Sequence, residues 1–287
     1  VTATTNNPII NIDGNLTIAT SSTFIAPTSS SFTIAGNWSN SGTFTHSTGT
    51  VTFDGTSSGK TIKTGGSSFY NLTFNGSGGV WTFQDAATTT NNLTITQGTA
   101  SSSYNMYVYG GNAQGNGTLN WSGGTFLLDG TGYFGGTSNW TFYNLTFGDG
   151  SGAATTTATS TAATTTISNI LTIAANQTLD AGLKTWVLTG SGGTPFAKTG
   201  NLVPSTSTFR YDTAATTTIT AATYYNLELI DPLQNKFSEY DFSNHENISA
   251  INKNNLEELK IKPVNSKTYA FKSLGGDIIE IGTEEHS

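Results

Sequence analysis

Phe69-Tyr70-Asn71-Leu72-Thr73-Phe74 returns as Phe142-Tyr143-Asn144-Leu145-Thr146-Phe147. It returns again, altered, as Tyr224-Tyr225-Asn226-Leu227-Glu228-Leu229. A phrase that recurs after about 73 residues and again after about 82 residues, a long and nearly constant spacing, marks one structural unit copied in tandem.

Two more phrases keep step with it. Asn15-Leu16-Thr17-Ile18 recurs at Asn92-Leu93-Thr94-Ile95 and, with an inserted Ile, at Asn169-Ile170-Leu171-Thr172-Ile173. From Asn to Asn the spacing is about 77 residues each time, the mark of a tandem unit. Between them lies Gly49-Thr50-Val51-Thr52-Phe53-Asp54-Gly55-Thr56, matched at Gly124–Thr131 and Ser207–Thr213. Three phrases in the same order, three times over, exclude coincidence.

Each phrase reads as a strand. Val51 and Phe53 alternate with Thr50 and Thr52, and Leu72 and Phe74 alternate with Asn71 and Thr73. A period of two sends one set inward and the other outward. Asp-Gly after Phe53 and after Leu128 is a turn signal, because Gly accepts positive φ and Asp bonds its own backbone. No apolar 3.6-residue period is sustained in residues 1–230, so no helix is expected there.

The predicted fold is all-β, a parallel β-solenoid (β-helix) of three ~77-residue superrepeats with a charged C-terminal cap. A unit of that length suits about three coils of ~25 residues. Asn before Leu is expected at coil corners, bonding the backbone and its copy one coil away. Tandem β-sandwich domains are the alternative; they would need linkers, and no Pro-rich one is present. The run from Ala153 to Thr166, with echoes at 86–90 and 214–220, is expected to stack into an exposed Thr sheet.

Composition fits a folded β protein with a polar, uncharged surface. Charged residues make up 10% of the 287, against about 25% in an average globular protein. Sixteen Phe, 11 Tyr and five Trp separate the chain from disordered sequences, which lack aromatics. Cysteine is absent, which excludes thiol catalysis, zinc–thiolate sites and disulfides. No run of 18 apolar residues is present, so no membrane-spanning helix is expected. The formal net charge is −7, with no basic stretch, so nucleic acid is not an expected partner.

Acid is concentrated at one end. Residues 1–230 carry eight acids and five bases, while residues 231–287 carry ten and six. Two domains follow: 1–230, the solenoid, and 231–287, a charged cap or small docking module. In the second, Tyr269, Phe271, Ile279 and Ile281 are expected to cover the core, with Glu258, Lys260 and Lys262 in solvent. Charge is how natural proteins protect an open sheet edge.

Motifs for chemistry do not survive their context. Gly55-Thr56-Ser57-Ser58-Gly59 matches a nucleophile elbow and Gly130-Thr131-Gly132-Tyr133-Phe134-Gly135 a dinucleotide fingerprint, but neither leads into a helix. His46, His245 and His286 lack metal-ligand spacing. Asp54, Asp129 and Asp212 recur in register, expected three coils apart at about 14 Å, beyond what a glycosidase pair allows. They read as turn residues, with a weak calcium site there or at Asp149 as the lesser reading. Asn15, Asn37, Asn71, Asn92 and Asn144 begin glycosylation sequons but have a structural reason in the repeat. Trp38, Trp81, Trp121, Trp140 and Trp186 are core fillers or, if exposed, platforms for sugar rings. No catalytic, cofactor-binding or metal residue is assigned, and no cofactor is expected.

The three phrases resemble those of repetitive secreted bacterial surface proteins of the parallel β-helix, adhesin-like type. The resemblance covers residues 1–230 and is one of repeat style. It implies a non-enzymatic extracellular structural or adhesive protein at the cell surface: a stalk, adhesin or fibre segment. Expected partners are other copies end to end or surface glycans. A glycan- or ice-binding solenoid is the alternative, and a polysaccharide lyase or hydrolase a more distant one. Coplanar Thr columns would favour the binding reading; a cleft with clustered Asp, Lys and Arg would favour the enzyme.

Overall fold

The structure, a computed structural model, describes residues 1–230 apart from Ser160 and Ala214, and the backbone of four strands beyond. It is all-β, a parallel solenoid of about ten turns. Each full turn lays down up to three short strands, so the stacked turns present three columns, named here faces A, B and C.

Face A begins with Ile10–Ile12, Phe32–Ile34 and Thr50–Phe53. Face B begins with Leu16–Ile18, Trp38–Asn40 and Lys60–Lys63. Face C begins with Thr23–Ile25 and Thr43–Thr45. In the middle turns one strand serves two faces: Asn71–Phe83 and Leu93–Ser102 run from A into B, while Thr118–Leu128, Trp140–Phe147 and Thr164–Ile173 run from B into C. Glycine makes such bends possible. At Gly98 φ is +78°, and a Cβ there would stand 2.5 Å from the Gly76 carbonyl oxygen. Only glycine takes that backbone at no cost.

Along face A, Phe32 pairs with Val51, Val51 with Leu72, Leu72 with Leu93, Leu93 with Ala113, Ala113 with Phe134 and Phe134 with Ala158. These steps lie near the short end of the range for stacked repeats, from about 19 residues (Phe32 to Val51) to about 24 residues (Phe134 to Ala158). Most coils are therefore shorter than the ~25 residues expected of a solenoid repeat here, although the coil from Leu145 to Leu171 reaches that length.

This changes how the repeat meets the coil. Leu72 lies on face A, between Val51 and Leu93. Leu145 lies on face C, between Phe126 and Leu171. Leu227 lies on face B, beside Phe209. One repeat thus spans eleven strand places, three coils and two thirds, and each copy of the phrase is turned by one face. The unit therefore spends about seven residues on each strand and its turn. The three phrases of a unit stack directly: Thr50–Phe53, then 71–74, then 93–95 on face A. On face C the stack is 125–128, 144–147 and 170–173.

Inward residues form one core. Leu72, Leu145, Phe74, Phe147, Ile95 and Ile173 are fully buried, and Leu227 is partly buried against the same core. All five tryptophans are at most 1% exposed. Aromatic rings pack from coil to coil: Phe53 on Phe74 at 5.4 Å, Phe134 on Trp186 at 5.8 Å, Trp186 on Phe209 at 6.0 Å. Each such pair contributes about 0.5–1.5 kcal/mol beyond its buried area.

The corners carry the asparagines, as the repeat requires. Asn37 N–H donates to Asn15 Oδ1, Asn91 Nδ2 to Asn71 Oδ1, Asn112 Nδ2 to Asn92 Oδ1, and Asn169 Nδ2 to Asn144 Oδ1, all at 2.7–2.9 Å and one coil apart. These bonds satisfy corner polar groups that have no ladder partner.

The Thr run does not form one exposed sheet. Ala154–Ala158 lies on face A and the 164–167 part of the next strand on face B. Thr156 and Thr165 point inward at 0% and 1% exposure, and Thr156 Oγ1 accepts from Gln177 Nε2 at 3.0 Å.

At the far end the pairing changes sense. Thr218–Thr220 of face C pairs antiparallel with Glu258–Lys260. Lys262–Asn265, Thr268–Lys272 and Ile278–Gly282 form a separate antiparallel sheet, with Tyr269 opposite Ile281 and Phe271 opposite Ile279. The expected coverage of the core by those side chains lies outside the described residues.

Candidate binding face

In the middle coils the strands on face B alternate, and that alternation builds a surface. Trp81, Ala100, Leu119, Trp140 and Thr165 point in. The residues on either side of each point out. Thr82, Ser101, Asn120, Thr141 and Thr166 form one outward column, in register across five coils. A second runs beside it: Val80, Thr99 and Thr118, then Asn139, Thr164, Thr185 and Thr208. Neighbours stand ~4.8 Å apart between coils and ~6.7 Å apart along a strand. The strands at 80–83, 99–102, 118–121, 140–142 and 164–167 contain no charged residue.

Two different edges flank this face. Towards face A, an open groove of about 530 Å³ crosses three coils, lined by 77–80, 96–99 and 116–118. Its walls are glycine backbone, hydroxyls and the amides of Gln97 and Asn116. Towards face C stand Tyr104 and Tyr143, 47% and 40% exposed. They occupy the same corner two coils apart; in the coil between, that corner is the longer Ser122-Gly123-Gly124, with Gly124 in their place when counted back from face C. Gly124 has φ +63°, and a Cβ there would lie 2.8 Å from Asn105 Oδ1. Asn105 Oδ1 also accepts the Thr125 N–H at 2.9 Å. The turn therefore requires glycine, which leaves a gap between the two rings.

Two cations near this region, Lys60 and Lys184, are turned inward, while Lys63 at the end of its face B strand is exposed. Lys60 Nζ donates to Ser57 Oγ at 2.9 Å and lies 5.3 Å from the Trp81 ring centre. Desolvation lowers its pKa from the ordinary value. Lys184 is 1% exposed, with Nζ donating to Gly136 O and Thr161 Oγ1 at 3.2 and 3.3 Å. No carboxylate bonds it among the described residues, and burial brings it down to about 8.

The carboxylates expected in register do not converge. Asp54 follows a face A strand, Asp129 a face C strand, and Asp212 ends a face B strand. They lie on three faces rather than in one line, because the repeat advances by two thirds of a coil beyond three. Among the described residues no group of three His, Asp or Glu is placed to hold a metal ion. Asp149 caps its own turn, accepting from Ser151 N–H and Oγ at 2.7 and 2.6 Å; these bonds lower its pKa. His46 packs beside Tyr70, with ring centres 5.8 Å apart.

Neither catalytic-looking motif gains its helix. Gly55–Gly59 links two strands, and Gly130–Gly135 runs into the strand Gly132–Gly135. The sequon asparagines are engaged in corner bonds. No tryptophan is exposed, so aromatic contact with a ligand falls to tyrosine. Sequence reading missed face B, although its signal is legible. Hydroxyl or amide residues flank one inward residue at Thr99-Ala100-Ser101, Thr118-Leu119-Asn120, Asn139-Trp140-Thr141 and Thr164-Thr165-Thr166.

Among the described residues no helix is long and apolar enough to cross a membrane. Comparison with known proteins finds no matching family model, no matching curated protein and no matching solved structure.

Proposed function

We propose that this chain is a non-enzymatic structural or adhesive segment that works outside the cell, as a stalk, adhesin or fibre element of a bacterial surface. The observation that carries the reading is the unbroken core, in which aromatic and aliphatic side chains pack from coil to coil along the described solenoid. Such a body is stiff along its axis because each turn is bonded to the next through every face. Its outward residues are mainly Thr, Ser and Asn, which stay hydrated without charge. Its stability comes from stacking and needs no cross-link, which suits an exported protein lacking cysteine.

The N-terminal turn supports self-association. Ile10, Ile12 and Leu16 are only partly buried, and among the described residues their strands pair on one side only. A strand paired on one side only can template another strand. Copies of the chain placed end to end are the expected partners.

Two experiments test the reading. Small-angle scattering of the whole chain should give an elongated particle, and a compact spherical one contradicts it. Antibody raised to the protein should label intact producing cells, and labelling that needs permeabilised cells contradicts it.

A further inference from the structure

We infer that face B is a binding surface for a neutral β-1,4-linked polysaccharide, whose chain lies along the solenoid axis. The inference rests on the extracellular adhesive reading and gives it a ligand class.

Three observations converge on one strip of surface. The first is chemical: Ser101, Asn120 and Thr141 stand in register with both donors and acceptors and no charge. A ligand bearing many neutral hydroxyls can exchange its water for such a column at little electrostatic cost. A charged ligand would find no partner among these three residues; the column meets charge only further along, where Arg210 and Glu228 pair with each other.

The second is the pair of exposed rings. Tyr104 and Tyr143 are separated by two coils, ~9.6 Å at the usual strand spacing. That is close to two residues of an extended β-1,4-linked chain. In such a chain alternate sugars present the same ring face to one side, so sugars i and i+2 would meet the two tyrosines alike. The apolar C–H face of a pyranose packs on an aromatic ring while its hydroxyls remain free for the neighbouring column.

The third is the glycine between the rings. Gly123 and Gly124 bring no side chain to that corner, and the short Ser122 side chain bonds back to the Ser102 carbonyl, which keeps the gap clear. The intervening sugar, turned over, needs that room.

An ice surface is the competing occupant, since it too is met by hydroxyl lattices. It calls for a flat array of like side chains. Here the columns mix Thr, Ser, Asn and Val, and Asn120, Asn139 and Thr141 are exposed beside projecting tyrosines. The uneven height favours a flexible chain with its own hydroxyls.

The test is depletion of the full chain from solution by amorphous cellulose and by chitin, with α-linked starch and ice as controls. Binding to at least one β-1,4-linked polymer is expected. The double variant Tyr104→Ala/Tyr143→Ala should weaken it at least tenfold, as should Thr141→Glu, with unchanged circular dichroism. Binding unaffected in both variants overturns the inference. So does equal binding to starch, uptake by ice alone, or no binding at all. Scattering from the same sample separates the outcomes: an elongated particle that binds no polymer leaves the structural reading standing and removes this one.

Discussion

Leu72 and Leu145 hold the same place in the same six-residue phrase, are both fully buried, and stand on different faces of the solenoid. Equivalent residues are therefore not stacked on one another. Leu72 is sandwiched instead by Val51 and Leu93, which belong to the other two phrases. Each unit builds a block three strands deep on one face, and the next unit builds the same block one face round. The core is thereby made of unlike neighbours, so register is fixed by the fit of Val on Leu on Leu rather than by a ladder of identical residues.

The aromatic column should fail where one ring is shared among four others. Phe134 packs against Trp140, Phe142, Phe147 and Trp186, with ring centres 5.1–5.8 Å away. Phe134→Ala should cost about 3–5 kcal/mol, the range for a buried Phe cut to Ala. Chemical denaturation measures it.

The corner asparagines should matter through their side chains. Asn92 accepts from Asn112 Nδ2 at 2.8 Å. Asn92→Ala removes that bond and strands the donor, at about 1–3 kcal/mol if it stays dry. Asn92→Ser, too short to span the coils, should restore little; thermal melting of both variants checks this.

Stability should rise on the alkaline side of neutral. Lys184 is lowered to about 8 by burial, from an ordinary 10.5. Between those values the unfolded chain holds a proton that the folded chain has released, so stability grows as pH rises through that interval. Burial raises Tyr211 and Tyr224, so above about pH 10 the unfolded tyrosines ionise first and stability falls. Melting temperature should climb between about pH 8 and 10, and Lys184→Met should flatten the climb.

The charged segment should protect an edge. Thr218–Thr220 ends its column by antiparallel pairing with Glu258–Lys260, which closes the parallel series on face C. Deleting residues 231–287 reopens that edge, and the fragment 1–230 should self-associate on size-exclusion chromatography. A stable monomer with unchanged melting temperature would make the segment a separate docking module.

Strand identity, corner asparagine and parallel stacking are all legible in the sequence, because alternation of Leu72 and Phe74 with Asn71 and Thr73 states face and period directly. Coil length is not. A strand's period is two whatever the length of the turn that follows, so nothing in the phrases reports where a coil closes. A unit of three whole coils would put Asp54 and Asp129 on one line; at three and two thirds they are on separate faces. The inward turn of Thr156 and Thr165 is hidden for a related reason. Threonine is tolerated inside when its hydroxyl finds a partner, as Thr156 does in Gln177, and composition alone cannot give the side. Face B escapes notice because its hydroxyl triplets recur with the coil and not with the longer tandem unit.

That residues 1–230 form one continuous parallel stack is tested most directly by the distance between spin labels at Thr82→Cys and Thr166→Cys, in a chain that has no other cysteine. These residues share the outward column of face B, four coil steps apart. One narrow distribution is expected, centred near ~19 Å between backbones and broadened by the label arms. A distance far beyond that, as separate sandwich domains in tandem would impose, contradicts the single stack.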